Sequence, residues 1–364
     1  MTWPSYSPAC RRDVDQLLRS GKSLTAYRAS DAFPDWIGPK EGSHAYKLER
    51  EIEAKFKVKH AVAVNSGTAA LHAAILLGKG LQGREVITSP YTFSATASAI
   101  LLSGGIPVFA DIDPWTYSIN LETVKRAITK KTAAILSVDL FGWANDVDAL
   151  KSFGAPVLED SCQSVGAFRN GSYSGTRGVS GAYSFNGSKN IPSGEGGCLI
   201  TNSDKIAKKA RLFINHAENF GSKEVGFNYR MQEVVALIAR HGLKDLDERN
   251  QRRRDLVRVV DRVAWGYQGS VPISRDHVHY VEPFQVNASF RPLFIKRMAK
   301  RGIPVQAGYT TPLHHLPAFR KYAKHPLPVV DEVHKKLCLL TTLTPDRPLS
   351  YAKKVAKAIR ESLE

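Results

Sequence analysis

Gly181-Ala182-Tyr183-Ser184-Phe185-Asn186-Gly187-Ser188-Lys189-Asn190, with Gly194-Glu195-Gly196-Gly197 just beyond it, is the stretch on which the reading of this chain turns. The run from Gly181 to Phe185 predicts a buried strand that enters a turn, and the glycines after it let backbone approach whatever the turn faces. Lys189 is the only lysine or arginine between Gly178 and Asp204, in an otherwise neutral, Gly- and Ser-rich setting. A lysine is ordinarily a solvated surface charge. Burial and nearby positive charge lower an ammonium pKa toward neutrality, which is what an imine-forming nucleophile requires.

Two earlier segments belong with this one. Asn65-Ser66-Gly67-Thr68-Ala69-Ala70 is a strand-to-helix turn. Its backbone N–H groups and the Thr68 hydroxyl make a phosphate seat, although Ser-Gly-Thr before a helix equally describes a plain N-cap. Leu158-Glu159-Asp160-Ser161-Cys162-Gln163 puts a carboxylate at a strand end. A buried carboxylate there needs a cation or a set of donors. A protonated pyridine nitrogen is one such cation, and a structural cap is the alternative.

Around these segments the chain alternates extended and helical patterns. Short apolar strands are expected at Ala61–Val64, Glu85–Thr88, Pro107–Ala110, Ala133–Val138, Pro156–Asp160, Gly181–Phe185 and Cys198–Thr201. Helices are expected at 44–56, 69–77, 93–102 and 121–128. Continuous apolar strands separated by helices predict an α/β architecture, a mostly parallel central sheet with helices on both faces. Ligands of such sheets bind beyond the carboxyl ends of the strands, so the loops after Val64, Leu158 and Phe185 are the first places to look. After about residue 245 a long basic helix, 246–263, and a final helix, 350–363, suggest a smaller C-terminal α+β domain. The expected division is an N-terminal arm 1–42, a large domain 43–245 and a small domain 246–364.

Composition narrows the class. The 364 residues are 43% hydrophobic, and no apolar run reaches the roughly 20 residues of a bilayer helix. The N-terminus lacks a basic segment followed by an apolar one, so cytoplasmic residence is expected. Cys10, Cys162, Cys198 and Cys338 are too scattered for a disulfide scaffold or a zinc knuckle, and no metal site is expected. The formal charge is +17: residues 1–200 hold 21 Lys and Arg against 18 Asp and Glu, whereas residues 201–364 hold 30 against 16. Basic clusters such as Arg252-Arg253-Arg254 and Lys353/Lys354/Lys357/Arg360 sit at helical spacing. Solvated faces are their ordinary fate, but a field of this size attracts phosphate-rich partners, nucleic acid included.

The order of the three segments, and the string from Tyr183 to Gly197, resemble the DegT/DnrJ/EryC1/StrS sugar aminotransferases, which are fold-type I pyridoxal-phosphate enzymes. The resemblance runs from about Lys47 to Asn250 and more loosely through Gly302–Phe319. It implies pyridoxal 5′-phosphate held as a Schiff base on Lys189, with Asp160 on the pyridine nitrogen and Gln163 near the 3′-oxygen. Gly67, Thr68 and Ser184 would hold the phosphate, and Phe93 would stack on the ring. Asn228, in Phe227-Asn228-Tyr229-Arg230, would reach the neighbouring subunit's phosphate, which implies a homodimer with shared sites. Tyr309, His314 and Arg230 are the candidates for substrate contact. The implied reaction carries an amino group from an amino-acid donor to a nucleotide-linked keto-sugar. Lys189 itself argues against the dehydratase branch, where histidine replaces it. Two alternatives stay open: the same cofactor acting by transamination or decarboxylation on a modified base in nucleic acid, as in viral DNA modification, and a non-catalytic cofactor-binding regulator.

Overall fold

A computed structural model describes residues 3–25, 27, 38–75, 81–217, 225–264 and 276–364. In chain order it begins with α1 (Pro8–Arg19), α2 (His44–Phe56), β1 (His60–Val64), α3 (Gly67–Ala74), β2 (Glu85–Thr88), α4 (Ser94–Leu102) and β3 (Ile106–Phe109). Then come α5 (Leu121–Ala127), β4 (Thr132–Val138), α6 (Val147–Lys151), β5 (Val157–Asp160), a hairpin of β6 (Phe168–Arg169) and β7 (Ser172–Tyr173), β8 (Ser180–Ser184) and β9 (Gly197–Thr201). The second half holds α7 (Asp204–Phe213), α8 (Glu233–Lys244), α9 (Leu246–Ala264), β10 (Glu282–Gln285), α10 (Arg291–Lys300), β11 (Gln306–Ala307), α11 (Pro328–Lys336), β12 (Leu337–Leu340) and α12 (Leu349–Leu363).

Seven strands form one sheet in the order β1-β9-β8-β5-β4-β2-β3. All its pairings are parallel except those of β9, which runs against both β1 and β8. Side-chain alternation fills both faces. Val62, Val64, Ala182 and Leu199 pack with α3, whereas Ala61, Ala63, Tyr183 and Ile200 pack with α2 and α8. The expected α/β class is what the chain adopts. Because β1, β4, β5 and β8 point one way, Val64, Val138, Asp160 and Ser184 end at one edge of the sheet.

A second sheet, β10-β12-β11, packs with α9, α10 and α12 around Phe294, Met298 and Val355. The segment from Leu313 to Leu339 also joins the first unit, since Leu313, Phe319 and Val330 share a cluster with Tyr91, Phe109 and Phe141. Within the expected arm the structure builds α1, capped by Ser7, whose hydroxyl accepts the Cys10 N–H, and packed on α8. Its only buried side chains are Cys10 and Leu17, too short a stripe to stand out in the sequence. The Arg252-Arg253-Arg254 triplet is not a free basic face. Arg252 donates to the Pro345 carbonyl, buried Arg253 donates to the Tyr280 carbonyl, and Arg254 donates to Gln251.

Candidate active site

The floor is built by the carboxyl ends of β5 and β8, which pair with Asp160 opposite Ala182. Asp160 is buried; its Oδ2 accepts the Thr96 hydroxyl at 2.7 Å and its Oδ1 the Cys162 amide at 3.3 Å. Thr96 is held in turn by Thr92 at 2.8 Å, so the first turn of α4 orients this carboxyl. Lys189 lies in the turn beyond β8, with its Nζ 4.3 Å from the centre of the Tyr280 ring. The Cys162 thiol is close to both charges. Burial pushes its pKa well up, Asp160 pushes further, and Lys189 opposes. Asp160 therefore closes β5 beside β8, the strand whose following turn carries Lys189.

Gln163 is fixed at both ends. Its Oε1 accepts the Phe141 N–H at 2.9 Å and its Nε2 donates to the Tyr309 hydroxyl at 2.8 Å. Tyr309, in turn, donates its own N–H to the Tyr91 hydroxyl. Phe93, at the N-cap of α4, is 56% exposed, an apolar ring left open one turn before Thr96.

Gly67 opens α3 against Ser184. A Cβ there would stand 2.8 Å from the Ser184 Cβ and 3.1 Å from the Cys162 Sγ, so only glycine lets the two strand ends come this close. Ser66 caps the helix through Ala69, which leaves the first-turn amides of Gly67 and Thr68 outside the helical ladder and available to an anion. Narrow cradle, helix N-terminus, buried carboxylate and lysine fit a phosphate-bearing pyridoxal.

Asn228 is exposed beside this cradle. The Asn65 side chain donates to its carbonyl at 3.3 Å, and Arg230 donates to Asn215 at 2.6 Å rather than reaching the Lys189 turn. His314 is likewise occupied elsewhere: its Nε2 meets Asp331 at 2.9 Å, a carboxyl shared with His315. Of the three substrate candidates, only Tyr309 is hydrogen-bonded to a residue of the floor.

Three participants were absent from the sequence reading. Thr96 had one usable signal, its i,i+4 relation to Thr92 on a helix that begins at the site. Tyr280 had none, because a contact across 91 residues leaves no local pattern. Asp139 sits beneath the floor; its Oδ2 accepts the hydroxyls of Ser161, Ser164 and Ser174, and its Oδ1 accepts the Asn145 N–H. A groove of about 1480 Å³ between α1, α2 and α8 contains none of these residues.

Similarity to known proteins agrees with this geometry. The family model of DegT/DnrJ/EryC1/StrS aminotransferases matches residues 32–360. The chain is 30% identical over 347 residues to a pleiotropic regulatory protein of Geobacillus stearothermophilus, covering 92% of this chain and 89% of that one. It is also 30% identical over 330 residues to a UDP-N-acetyl-3-dehydro-alpha-D-glucosamine 3-aminotransferase of Acidithiobacillus ferrooxidans, covering 88% and 89%. Among solved structures, an aminotransferase from Psychrobacter cryohalolentis superposes with a TM-score of 0.88 at 25% identity, over 100% of this chain and 98% of that one.

Proposed function

Because the chain belongs to the DegT/DnrJ/EryC1/StrS aminotransferase family and uses that family's pyridoxal 5′-phosphate cofactor, we propose that its acceptor is a nucleotide-linked keto-sugar. The amino donor is an amino acid. Bound in the cradle, the cofactor supplies an electron sink for charge that develops at the donor's Cα. Every other part of the chemistry falls to side chains of this chain.

Asp160 would accept the ring N–H, whose positive charge favours the ionised carboxyl. Lys189 would hold the cofactor through its Nζ and would carry the proton that leaves Cα, and the Tyr280 face would hold the ammonium. Gly67, Thr68 and Ser184 would receive the phosphate, with Gln163 and Phe93 positioning the ring. Asn228, exposed at the rim, serves the partner subunit, so each site of a homodimer draws on both protomers. What supports this reading is buried Asp160 at the end of β5, paired with the strand whose following turn carries Lys189.

A second reading takes a nucleic-acid acceptor. What favours it is the exposed basic set Lys296, Lys300, Lys353, Lys354 and Lys357 on α10 and α12. One assay separates the readings: holoenzyme converted with glutamate or glutamine is offered nucleotide-linked keto-sugars and, separately, DNA. Recovery of the original visible absorbance with a keto-sugar supports the first reading. Recovery only with DNA replaces it, and failure of any amino acid to convert the holoenzyme leaves the regulatory alternative standing.

A further inference from the structure

Flanking Tyr280 in the chain lies a group of side chains that transamination does not use. His277, His279 and Glu282 are exposed by no more than 3%. Their segment hangs on the loop after β4, with Val278 N–H donating to the Gly142 carbonyl and Tyr280 N–H to that of Phe141. His277 Nδ1 is 2.7 Å from His279 Nδ1, which is itself 2.7 Å from Glu282 Oε2.

This arrangement cannot be satisfied by protons alone. An imidazole nitrogen has a single in-plane position, either a proton or a lone pair, so His279 Nδ1 forms one well-directed hydrogen bond. It has two neighbours at that distance. The outer atoms do not compensate, because His277 Nε2, His279 Nε2 and Glu282 Oε1 are buried without hydrogen-bond partners. Orphaned polar atoms of this kind cost about 1–3 kcal/mol each. A cation among the three inner atoms turns the conflict into coordination.

We propose that His277, His279 and Glu282 form a structural site for a divalent transition metal, zinc by preference. Two imidazoles and a carboxylate are a zinc donor set. Tetrahedral bonds of about 2.0–2.1 Å hold ligand atoms about 3.4 Å apart, so occupancy widens the two short contacts. Such a site ties β10 to the segment that hangs on the loop after β4. It stands independently of the acceptor proposed above.

Tag-free holoenzyme is stripped with a chelator, returned to excess zinc, desalted and analysed for bound metal. Roughly one zinc per chain is expected. His279→Ala and the near-isosteric Glu282→Gln should each lower retained zinc by more than about tenfold. Asp331→Asn, which disables the His314/His315 cluster, should leave the ratio unchanged. Glu282→Gln keeps the side-chain volume, and its fold is checked by the cofactor's visible absorbance. Absence of retained zinc in the wild-type holoenzyme overturns the proposal. So does full retention by a folded Glu282→Gln or His279→Ala variant, or loss of zinc on Asp331→Asn alone.

Discussion

Two carboxyls at neighbouring strand ends are treated in opposite ways. Asp139, just past β4, is saturated by three serine hydroxyls and a backbone N–H. Asp160, closing β5, accepts the Thr96 hydroxyl and the Cys162 amide and is left with fewer donors than Asp139. A carboxyl whose lone pairs are all taken by the fold is scaffold, whereas one with spare capacity is poised for a ligand. Glu159 repeats the first pattern one residue before Asp160: it points to the opposite face and accepts the N–H groups of Gly175, Arg177 and Gly178.

This contrast is open to attack, and the largest blow falls on the ligand side. Lys189→Ala should cut turnover by about 10⁴-fold or more and remove the cofactor's visible absorbance, with far-UV circular dichroism unchanged. Appreciable residual activity would take Lys189 out of the chemistry. Asp160→Asn should slow turnover by about 10²–10³-fold while shifting the denaturation midpoint little, since only two neighbouring donors are disturbed. Asp139→Ala should do the reverse. Three hydroxyls lose their acceptor, and chemical denaturation should register a loss of about 2–4 kcal/mol, with turnover per folded molecule within about tenfold of wild type. If Asp139→Ala abolished catalysis in a fully stable protein, the division between scaffold and site would collapse.

The smallest effect is a pH slope. Burial, reinforced by Asp139, raises Glu159 from 4.5 to about 7. The folded chain therefore binds more protons than the unfolded chain between those values and loses stability as pH climbs through the window. Glu159→Gln should flatten that part of the profile in urea titrations at pH 5 and pH 7. An equally steep slope in the variant would assign it to another group.

The strand-end residues were legible because their pattern is local. Val62, Leu158 and Tyr183 sit in short apolar runs, each followed by a polar turn, and Gly67 packs against Ser184 and Cys162 at the ends of those runs. The substrate side read less well. His314 and Arg230 are polar residues in loops, and nothing within a few positions says that one will be taken by Asp331 and the other by Asn215. α1 and α8 escaped notice for a different reason. α1 buries only Cys10 and Leu17, while α8 packs on α1, α2 and the strand residues Ala61, Ala63 and Tyr183, partners that its own sequence does not name.

Alternating strands and helices, the parallel sheet and the lysine turn follow from the order of residues, since hydrophobic period and turn chemistry act over a few positions. Long-range partners are different. That Tyr280 covers Lys189, that Thr96 holds Asp160 and that two histidines meet Glu282 in the interior depend on how distant segments are packed. Those contacts are settled by steric fit and by the cost of leaving polar atoms unpaired, and neither is written in any single stretch of the chain.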